Sequence, residues 1–441
     1  MGAAIRFLTT LAAMIAAAPA WAEDDGPFAR FDAWRDELGK AGYTLSIVEQ
    51  SAVVGNVSGG SRRGADYEGL TTASLAIDAK TAFGWETGQF QISAYWVHGR
   101  SLSADNLKIL QFVSETEADR SLRLWELWYQ QPVFDGALEV RFGEQSADQE
   151  FMVSDNSSLL LNAAMGWPAL PGADLYAAGP SYPLASPGLR FKMQPAEGLT
   201  LLAAVYDDNP PGGPFNNDSQ LRGAEASGLR FNLGTGAFVI AELQYATKMP
   251  LPGTYKFGAW YDSGAFPDQR FDNSGLSLAN PASSGIARMH RGNYSIYALA
   301  DQTIVPADDN GARQVNAFLR LMGAPRDRNL VSFSVDAGAR VIAPFGDKGG
   351  AFGIGYGLAQ ISGRAAALDR DTGFFTGTPY PVRSTEQFIE ITYQASIADG
   401  WQLQPDFQYV FNPGGGIPNP NLPSRRIKDE AVLGLKAIVT F

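Results

Sequence analysis

The feature that most constrains the fold is a two-residue alternation of apolar and polar side chains, which recurs along the chain from Tyr43 onward. Two is the period of a β-strand, because successive side chains point to opposite faces of a sheet. The alternation is clearest over residues 401–411 and 431–441. The alternating segments run for about ten residues or more, whereas globular strands average ~5–6 and tilted bilayer-spanning strands need ~9–11. The sequence therefore predicts an all-β fold, a transmembrane antiparallel β-barrel.

The connections between these segments are alternately short and long, which is typical of outer-membrane barrels whose long loops face outside. The segments number 17, but an antiparallel barrel with both chain ends on one side needs an even number. The surplus is assigned to residues 226–262, where three segments are packed between short connections, so 16 strands are predicted. Such a barrel has a lumen wide enough for water and solutes. Tight turns are predicted at 83–88, 133–136, 194–198, 233–236 and 397–400, and long loops at 147–185, 207–224, 262–289, 362–383 and 413–428.

The N-terminus predicts a signal peptide over residues 1–22, with Arg6, an apolar run and the small-x-small ending Ala20-Trp21-Ala22. The apolar run is shorter than the ~20 residues of a membrane-spanning helix, and no later run approaches that length, so no transmembrane helix is expected. Residues 23–42 predict a short periplasmic helix that begins near Pro27 and ends at Gly39 and Gly42. The barrel then occupies residues 43–441.

Composition excludes several functions. The chain has no cysteine, two histidines, and 34 Lys+Arg against 46 Asp+Glu. Disulfide scaffolds, thiol catalysis and zinc ribbons need cysteine, and an acidic chain is a poor nucleic-acid ligand. We expect no enzyme, no catalytic residue, no cofactor and no metal. His98 and His290 are interpreted as solvated rim residues, and the acidic turns 207–209 and 308–310 as solvated rather than calcium-binding.

Ten short motifs, spread from about residue 120 to the last strands, occur in an order shared with one family. They are ELWYQ (126–130), RFGEQSAD (141–148) continuing into Glu150-Phe151, NAAMGWP (162–168), SYPL (181–184), PGLRF (187–191), GNY (292–294), ADQ (300–302), EITYQ (390–394), QPDFQY (404–409) and NPG (412–414). Together they resemble the OprB-type carbohydrate-selective porins of Gram-negative outer membranes. The resemblance implies a sixteen-stranded barrel, narrowed by loops and lined by charged and aromatic side chains. It also implies passive, partly selective diffusion of monosaccharides such as glucose; the residues alone show no sugar preference.

Strand parity predicts which side chains line the lumen. If Trp125 and Leu127 face lipid, Glu126 and its alternate neighbours face inward, and Arg141 on the next strand becomes a cross-strand partner of Glu126. These charged side chains either contact the solute or only stabilise the shape of the barrel wall. Hydroxyl-rich solutes need Arg, Asp, Glu, Asn or Gln for hydrogen bonds and Trp or Tyr for their C–H faces. The predicted pore-lining residues are Glu126, Trp128, Arg141, Gln145, Asp148, Glu150, Asn162, Trp167, Arg190, Glu390, Asp406 and Gln408.

Residues 147–185 predict a constriction loop folded into the barrel, because apolar residues such as Leu159, Leu160, Leu161 and Met165 need a surface to pack against. Alternatively, this loop covers the outer mouth or forms a trimer contact; the sequence does not distinguish a monomer from a homotrimer. Aromatic residues at strand ends predict a membrane-interface girdle in contact with outer-membrane lipid. These are Trp85, Tyr95, Trp96, Trp260 and Trp401.

The terminal Phe441 predicts recognition by the outer-membrane assembly machinery. Three alternatives to a sugar channel are retained. A lumen dominated by Arg and Lys would favour a channel for other small nutrients, such as carboxylates. An outer-membrane enzyme would need a Ser-His pair on the barrel exterior. A purely adhesive barrel would carry no ion current.

Overall fold

A computed structural model describes residues 27–210, 227–229, 233–307, 313–343 and 349–441. The predicted signal peptide lies outside these residues, as do the first residues of the predicted helical segment. Sixteen antiparallel strands close into one barrel, so the predicted fold and strand count are confirmed. The strands are β1 (Tyr43–Ser58), β2 (Gly64–Asp78), β3 (Gln89–Gly99), β4 (Ser121–Val133), β5 (Leu138–Gln145), β6 (Ser186–Ala196), β7 (Leu199–Asp207), β8 (Ala237–Thr247), β9 (Gly253–Asp272), β10 (Ala287–Val305), β11 (Gln314–Gly323), β12 (Val331–Ala343), β13 (Gly350–Ile361), β14 (Thr385–Ala398), β15 (Trp401–Phe411) and β16 (Glu430–Thr440).

The helices are short and form no part of the barrel wall. They are α1 (Pro27–Lys40), α2 (Ala79–Phe83), α3 (Ala163–Gly166), α4 (Ala169–Asp174), α5 (Gly363–Thr376) and α6 (Pro413–Gly416), with a π-turn at Ser103–Leu107 and a 3-10 turn at Tyr176–Ala178. Within the ranges given above, no helix is both long and apolar enough to span a membrane. A two-stranded ribbon, Pro418–Asn419 with Leu422–Arg426, precedes β16.

The barrel closes where β1 pairs with β16, with Val53 opposite Leu435 and Glu49 opposite Val439. Each strand is paired on both sides, so the wall presents no open sheet edge. Closure is required in hydrocarbon, because an unpaired row of backbone N–H and C=O groups there would cost several kcal/mol per group.

The surplus seventeenth segment disappears in the stretch where it was suspected. Over residues 226–262 the structure has β8 and the first part of β9, and Leu229 and Leu233 lie in no strand. Residues 230–232 of the third predicted segment lie outside the described residues. The predicted turn at 233–236 is instead the end of the β7–β8 connection, because three alternating apolar residues are too few to specify a strand.

The apolar core lies inside the barrel. Outward side chains such as Phe257, Ile296 and Leu433 are exposed to the membrane, as the alternation predicts. The inner face carries Phe238, Phe318 and Phe388, which form one buried cluster with side chains from the connections. The connections therefore fold inward and supply the interior with its core.

Two of the five predicted girdle aromatics are on the wrong face. Trp85 and Trp96 are exposed, and Trp401 is half-buried. Trp260 instead faces inward, 2% exposed, with its ring centroid 5.8 Å from that of Phe238. Tyr95 also faces inward, against Trp125. An aromatic ring suits a lipid interface and a packed lumen equally well, so residue type alone did not assign the face.

Candidate functional site

Among the described residues, two long connections that contact each other fold into the barrel. The first inner segment (100–120) joins β3 to β4, and the second inner segment (146–185) joins β5 to β6. They contact each other through backbone bonds from Ala163 N to Phe112 O and from Glu115 N to Leu161 O, both 2.9 Å long. The second segment was expected inside the barrel; the first was not, although its apolar residues Ile109, Leu110, Phe112 and Val113 were a usable signal.

Two carboxyl groups of β14 fasten the two inner segments to the far wall. Glu386 accepts from Leu110 N at 2.9 Å and from Gln111 N at 2.8 Å, both in the first segment. Glu390 accepts from Leu161 N at 2.5 Å and Asn162 N at 3.1 Å, both in the second. The two glutamates are four residues apart, so they share the inner face of the strand. One strand therefore carries an anchor for each segment.

A buried arginine of β11 anchors the second segment from another side. Arg320 donates to Met152 O at 2.7 Å, to Gly166 O at 3.0 Å and to Ala164 O. Its Nε donates to Asp336 on β12 at 3.0 Å, and both side chains are 1% exposed. The guanidinium has five donors in a planar fork, which suits it to collect several carbonyls while keeping an ion pair. Arg320 was not predicted as a site residue, although an arginine at an inward position of an apolar strand was a usable signal.

The base of the second segment holds a network of charges. Arg190, fully buried, pairs with Glu150 at 2.8 Å and Glu139 at 2.5 Å. Arg141 donates to Gln130 at 2.8 and 2.9 Å, lies 3.4 Å from Glu150, and its guanidinium sits 4.1 Å from the ring centroid of Trp128.

The predicted pairing of Arg141 with Glu126 is wrong. Arg141 lies directly opposite Gln130 in the β4–β5 register, and its ionic partner is Glu150. A bulge in β4 also turns Trp125 inward, next to the inward Glu126, because the pairing with β3 skips from Glu126 to Leu124. Bulges insert one unpaired residue and reset the parity of the side chains, which a strict two-residue pattern does not show.

A cavity of about 810 Å³ lies between the two inner segments and the wall of β1–β4. Its aromatic side is formed by Tyr95 and Trp125, stacked with centroids 4.7 Å apart, and by Tyr182, 5.5 Å from Tyr95. Its polar side carries the carboxyl groups of Glu115, Glu117 and Asp148.

Burial shifts the titration of two of these carboxyl groups. It raises the pKa of Asp148 to about 6, although Asp148 accepts from Ser146 Oγ and from Tyr182 N at 2.7 Å. It also raises the pKa of Glu117 to about 8, with a further increase from nearby Glu68 and despite bonds from Ser101 and Ser103. Both shifts have desolvation as their main cause, because burial disfavours the charged form of an acid.

The predicted pore-lining residues divide into three groups. Only Asp148 and Trp167 border the cavity, and Trp167 is held by a bond from Nε1 to Ala178 O of 2.9 Å. Glu126, Trp128, Arg141, Glu150 and Arg190 lie in or beside the charge network at the segment base. The remaining predicted residues are covered by the inner segments or bonded within the wall: Gln145, Asn162, Glu390, Asp406 and Gln408.

Hydrogen bonds explain why the residues of the third group do not border the cavity. Asn162 donates to Gln408 at 3.0 Å and to Gln111 O at 3.2 Å, and Gln408 donates to Val113 O at 2.7 Å. Gln408 also donates to Asp406 at 3.0 Å, while Gln145 donates to Gly188 O at 2.9 Å. The cavity also has lining residues that were not predicted from the sequence: Tyr95, Trp125, Tyr182, Glu115 and Glu117.

The histidines and one acidic turn differ from expectation. His98 is half-buried and contacts Tyr67 OH at 3.1 Å, while His290 contacts Asp268 at 2.8 Å, so neither is simply a solvated rim residue. In the part of the chain described here, neither ring is hydrogen-bonded to a serine hydroxyl. Residues 207–209 are buried rather than solvated, because the turn packs inside the barrel mouth; residues 308–310 lie outside the described residues.

Comparisons with known proteins agree with this architecture. A family model described as "Carbohydrate-selective porin, OprB family" matches residues 62–441. Porin B of Pseudomonas aeruginosa is 24% identical over 405 residues, covering 86% of this chain and 85% of that protein. The high-pH structure of Pseudomonas putida OprB superposes with a TM-score of 0.82 at 21% identity, covering 93% of this chain and 97% of the other. The low-pH structure of the same protein superposes with a TM-score of 0.56 at 16% identity, covering 93% and 96%. The chain therefore belongs to the OprB family of carbohydrate-selective porins, which are channels of the Gram-negative outer membrane and not enzymes.

Proposed function

We propose that the chain conducts monosaccharides such as glucose down their gradient, through a lumen that the two inner segments narrow. The observation that carries the proposal is the attachment of both segments to the far wall by buried side chains, above all Glu386 and Glu390. A loop held in this way limits the width of the path, and pore width with lumen hydrogen bonding determines selectivity.

The chemistry of the cavity supports a neutral, hydroxyl-rich solute. Carboxyl groups accept hydrogen bonds from sugar hydroxyls, and the rings of Tyr95 and Tyr182 offer apolar surface for sugar C–H groups. Asp148, whose pKa of about 6 leaves it ionised at neutral pH, repels anions. A channel for small carboxylates would instead favour a cationic cavity, so the ionised Asp148 counts against that alternative.

We also propose three interactions outside the lumen. The exposed apolar outer wall contacts outer-membrane lipid. The C-terminal Phe441, whose backbone N–H donates to Ile47 O at 3.0 Å, presents a side chain that is 40% exposed for the assembly machinery. A homotrimer and a monomer are both compatible with this wall, and the mass of the protein–detergent complex measured by light scattering distinguishes them.

Liposome swelling tests the proposed solute class. Proteoliposomes should swell faster in glucose than in the disaccharide maltose or in the anion gluconate. Replacing Tyr95 by Ala should reduce glucose selectivity, since an aromatic contact contributes about 0.5–1.5 kcal/mol beyond its area. The matched control is Tyr409→Ala on the outer face of β15, which leaves the cavity unchanged. Equal rates for glucose, maltose and gluconate would refute a selective sugar path.

A further inference from the structure

A groove of about 580 Å³ lies on the outer wall of the barrel, away from the lumen, at the extracellular ends of β10 to β13. Tyr294, Ile296 and Phe333 form its apolar sides, and all three are exposed to the membrane. The groove has the size of an ordinary small-ligand site, which spans roughly 300–1,000 Å³. Because it opens on the membrane-facing wall, its neighbours are lipid acyl chains rather than water-soluble solutes.

The groove exists because the wall changes height there. Strands β9 and β10 have 20 and 19 residues, but β11 has only 10. The connection 324–330 after β11 turns toward the lumen: Leu330 N donates to Asp174 at 2.7 Å, and Asn329 bonds to Asn293 at 2.6 and 2.9 Å. The outer side is left hollow, and Gly323 on its floor has open space where a Cβ would lie.

The extracellular edge of the groove carries a basic side chain. Arg326 borders the groove and is exposed, and exposed Arg291 lies three residues before Tyr294 on β10. Asp327 pairs with the neighbouring Arg328 at 2.9 Å, and among the described residues the guanidinium of Arg326 has no ion pair or hydrogen bond. The chain as a whole carries a net charge of −12. Arg326 at the edge of this apolar groove is therefore a local positive charge on a protein that is negatively charged overall.

We propose that this groove binds a phosphorylated lipid of the outer leaflet, with one acyl chain between Tyr294 and Phe333 and the phosphate on Arg326. Arginine matches the bidentate geometry of phosphate, and each basic residue near a membrane surface contributes attraction to anionic lipid. Ser332 and Gln360 at the extracellular edge supply polar groups at the level where a headgroup meets its acyl chain. A free phosphate would use the arginine alone, so only a lipid accounts for the apolar part of the site.

Native mass spectrometry of the full chain in detergent tests the proposal. The probes are dipalmitoyl phosphatidic acid and dipalmitoyl phosphatidylcholine, which share their acyl chains and differ in headgroup charge. The phosphatidic acid should bind more tightly. Arg326→Ala should weaken that binding about fivefold, the equivalent of ~1 kcal/mol for one basic residue. Arg425→Ala, an equal loss of charge in the exposed ribbon 418–426, should leave it unchanged.

A second variant tests the apolar part of the site independently of charge. Gly323→Leu places a side chain in open space on the groove floor, so it should fold normally and abolish retention of the phosphatidic acid. Inorganic phosphate should not compete with the lipid. Equal binding of both lipids, equal effects of Arg326→Ala and Arg425→Ala, or full binding by folded Gly323→Leu would each overturn the proposal.

Discussion

Replacing Glu390 by Gln should loosen the tip of the second inner segment without unfolding the barrel. The carboxyl group accepts from two buried backbone N–H groups, those of Leu161 at 2.5 Å and Asn162 at 3.1 Å. An amide keeps one acceptor oxygen, so one N–H loses its partner, at a cost of about 1–3 kcal/mol. Ala at the same position removes both acceptors and should cost about twice as much. At ~1.4 kcal/mol per tenfold change, the Gln variant should raise the population with a detached tip roughly tenfold to a hundredfold.

Hydrogen–deuterium exchange measures this effect at the bonds themselves, because a buried amide exchanges through local opening. In the folded Glu390→Gln variant, the amides of Leu161 and Asn162 should exchange roughly tenfold to a hundredfold faster. Those of Leu110 and Gln111, which Glu386 holds, should change much less. The ratio of maltose to glucose swelling rates should rise as the path widens. The control is Glu197→Gln in the exposed β6–β7 turn. Unchanged exchange at Leu161 and Asn162 would refute the anchoring role of Glu390.

Three further predictions concern charge. Arg141→Ala should leave block of the ion current by glucose nearly unchanged while the barrel folds normally, because Arg141 does not border the cavity and Arg190 still pairs with Glu150; a clearly weaker block would place Arg141 in the solute path. Arg320→Ala should lower the free energy of unfolding by about 3–5 kcal/mol in urea titrations, because it leaves Asp336 buried and unpaired, and a loss below about 1 kcal/mol would contradict this. Burial raises the pKa of Asp148 to about 6, so the folded chain retains a proton that the unfolded chain releases near its ordinary value of about 3.9. The free energy of unfolding should therefore fall as pH rises from about 4 to about 6, and Asp148→Asn should flatten that part of the profile; an identical slope in both proteins would show that Asp148 does not cause it.

The barrel was predictable from the sequence because strand period, strand length and loop asymmetry are local and repeated. One strand too many was predicted near residue 229, and this error is corrected because a closed antiparallel barrel with both chain ends on one side needs an even number of strands. The inward fold of the second inner segment was also predictable, since Leu159, Leu160 and Leu161 need an apolar surface. These inferences depend on residue type and spacing, which the sequence displays directly.

The site was predicted less completely, because its geometry depends on register and on pairs far apart in the chain. The bulge in β4 turns Trp125 inward, and no pattern in the sequence marks it. Bonds such as that between Glu386 and Leu110 join residues 276 positions apart. The choice of Glu150 rather than Glu126 as the partner of Arg141 follows from how the second segment returns to the wall. The two-residue alternation specifies which face of the sheet a side chain occupies, but it does not specify which residue that side chain contacts.

Ion current through planar lipid bilayers tests the central claim most directly. The purified protein should give step conductances that glucose reduces in a concentration-dependent manner, while succinate at equal concentrations has little effect, because the cavity is acidic. The folded Tyr95→Ala variant, which removes one aromatic ring from the cavity, should conduct with weaker glucose block. Step conductances that succinate reduces and glucose leaves unchanged would contradict the sugar path, and a folded protein without any conductance would contradict the channel itself.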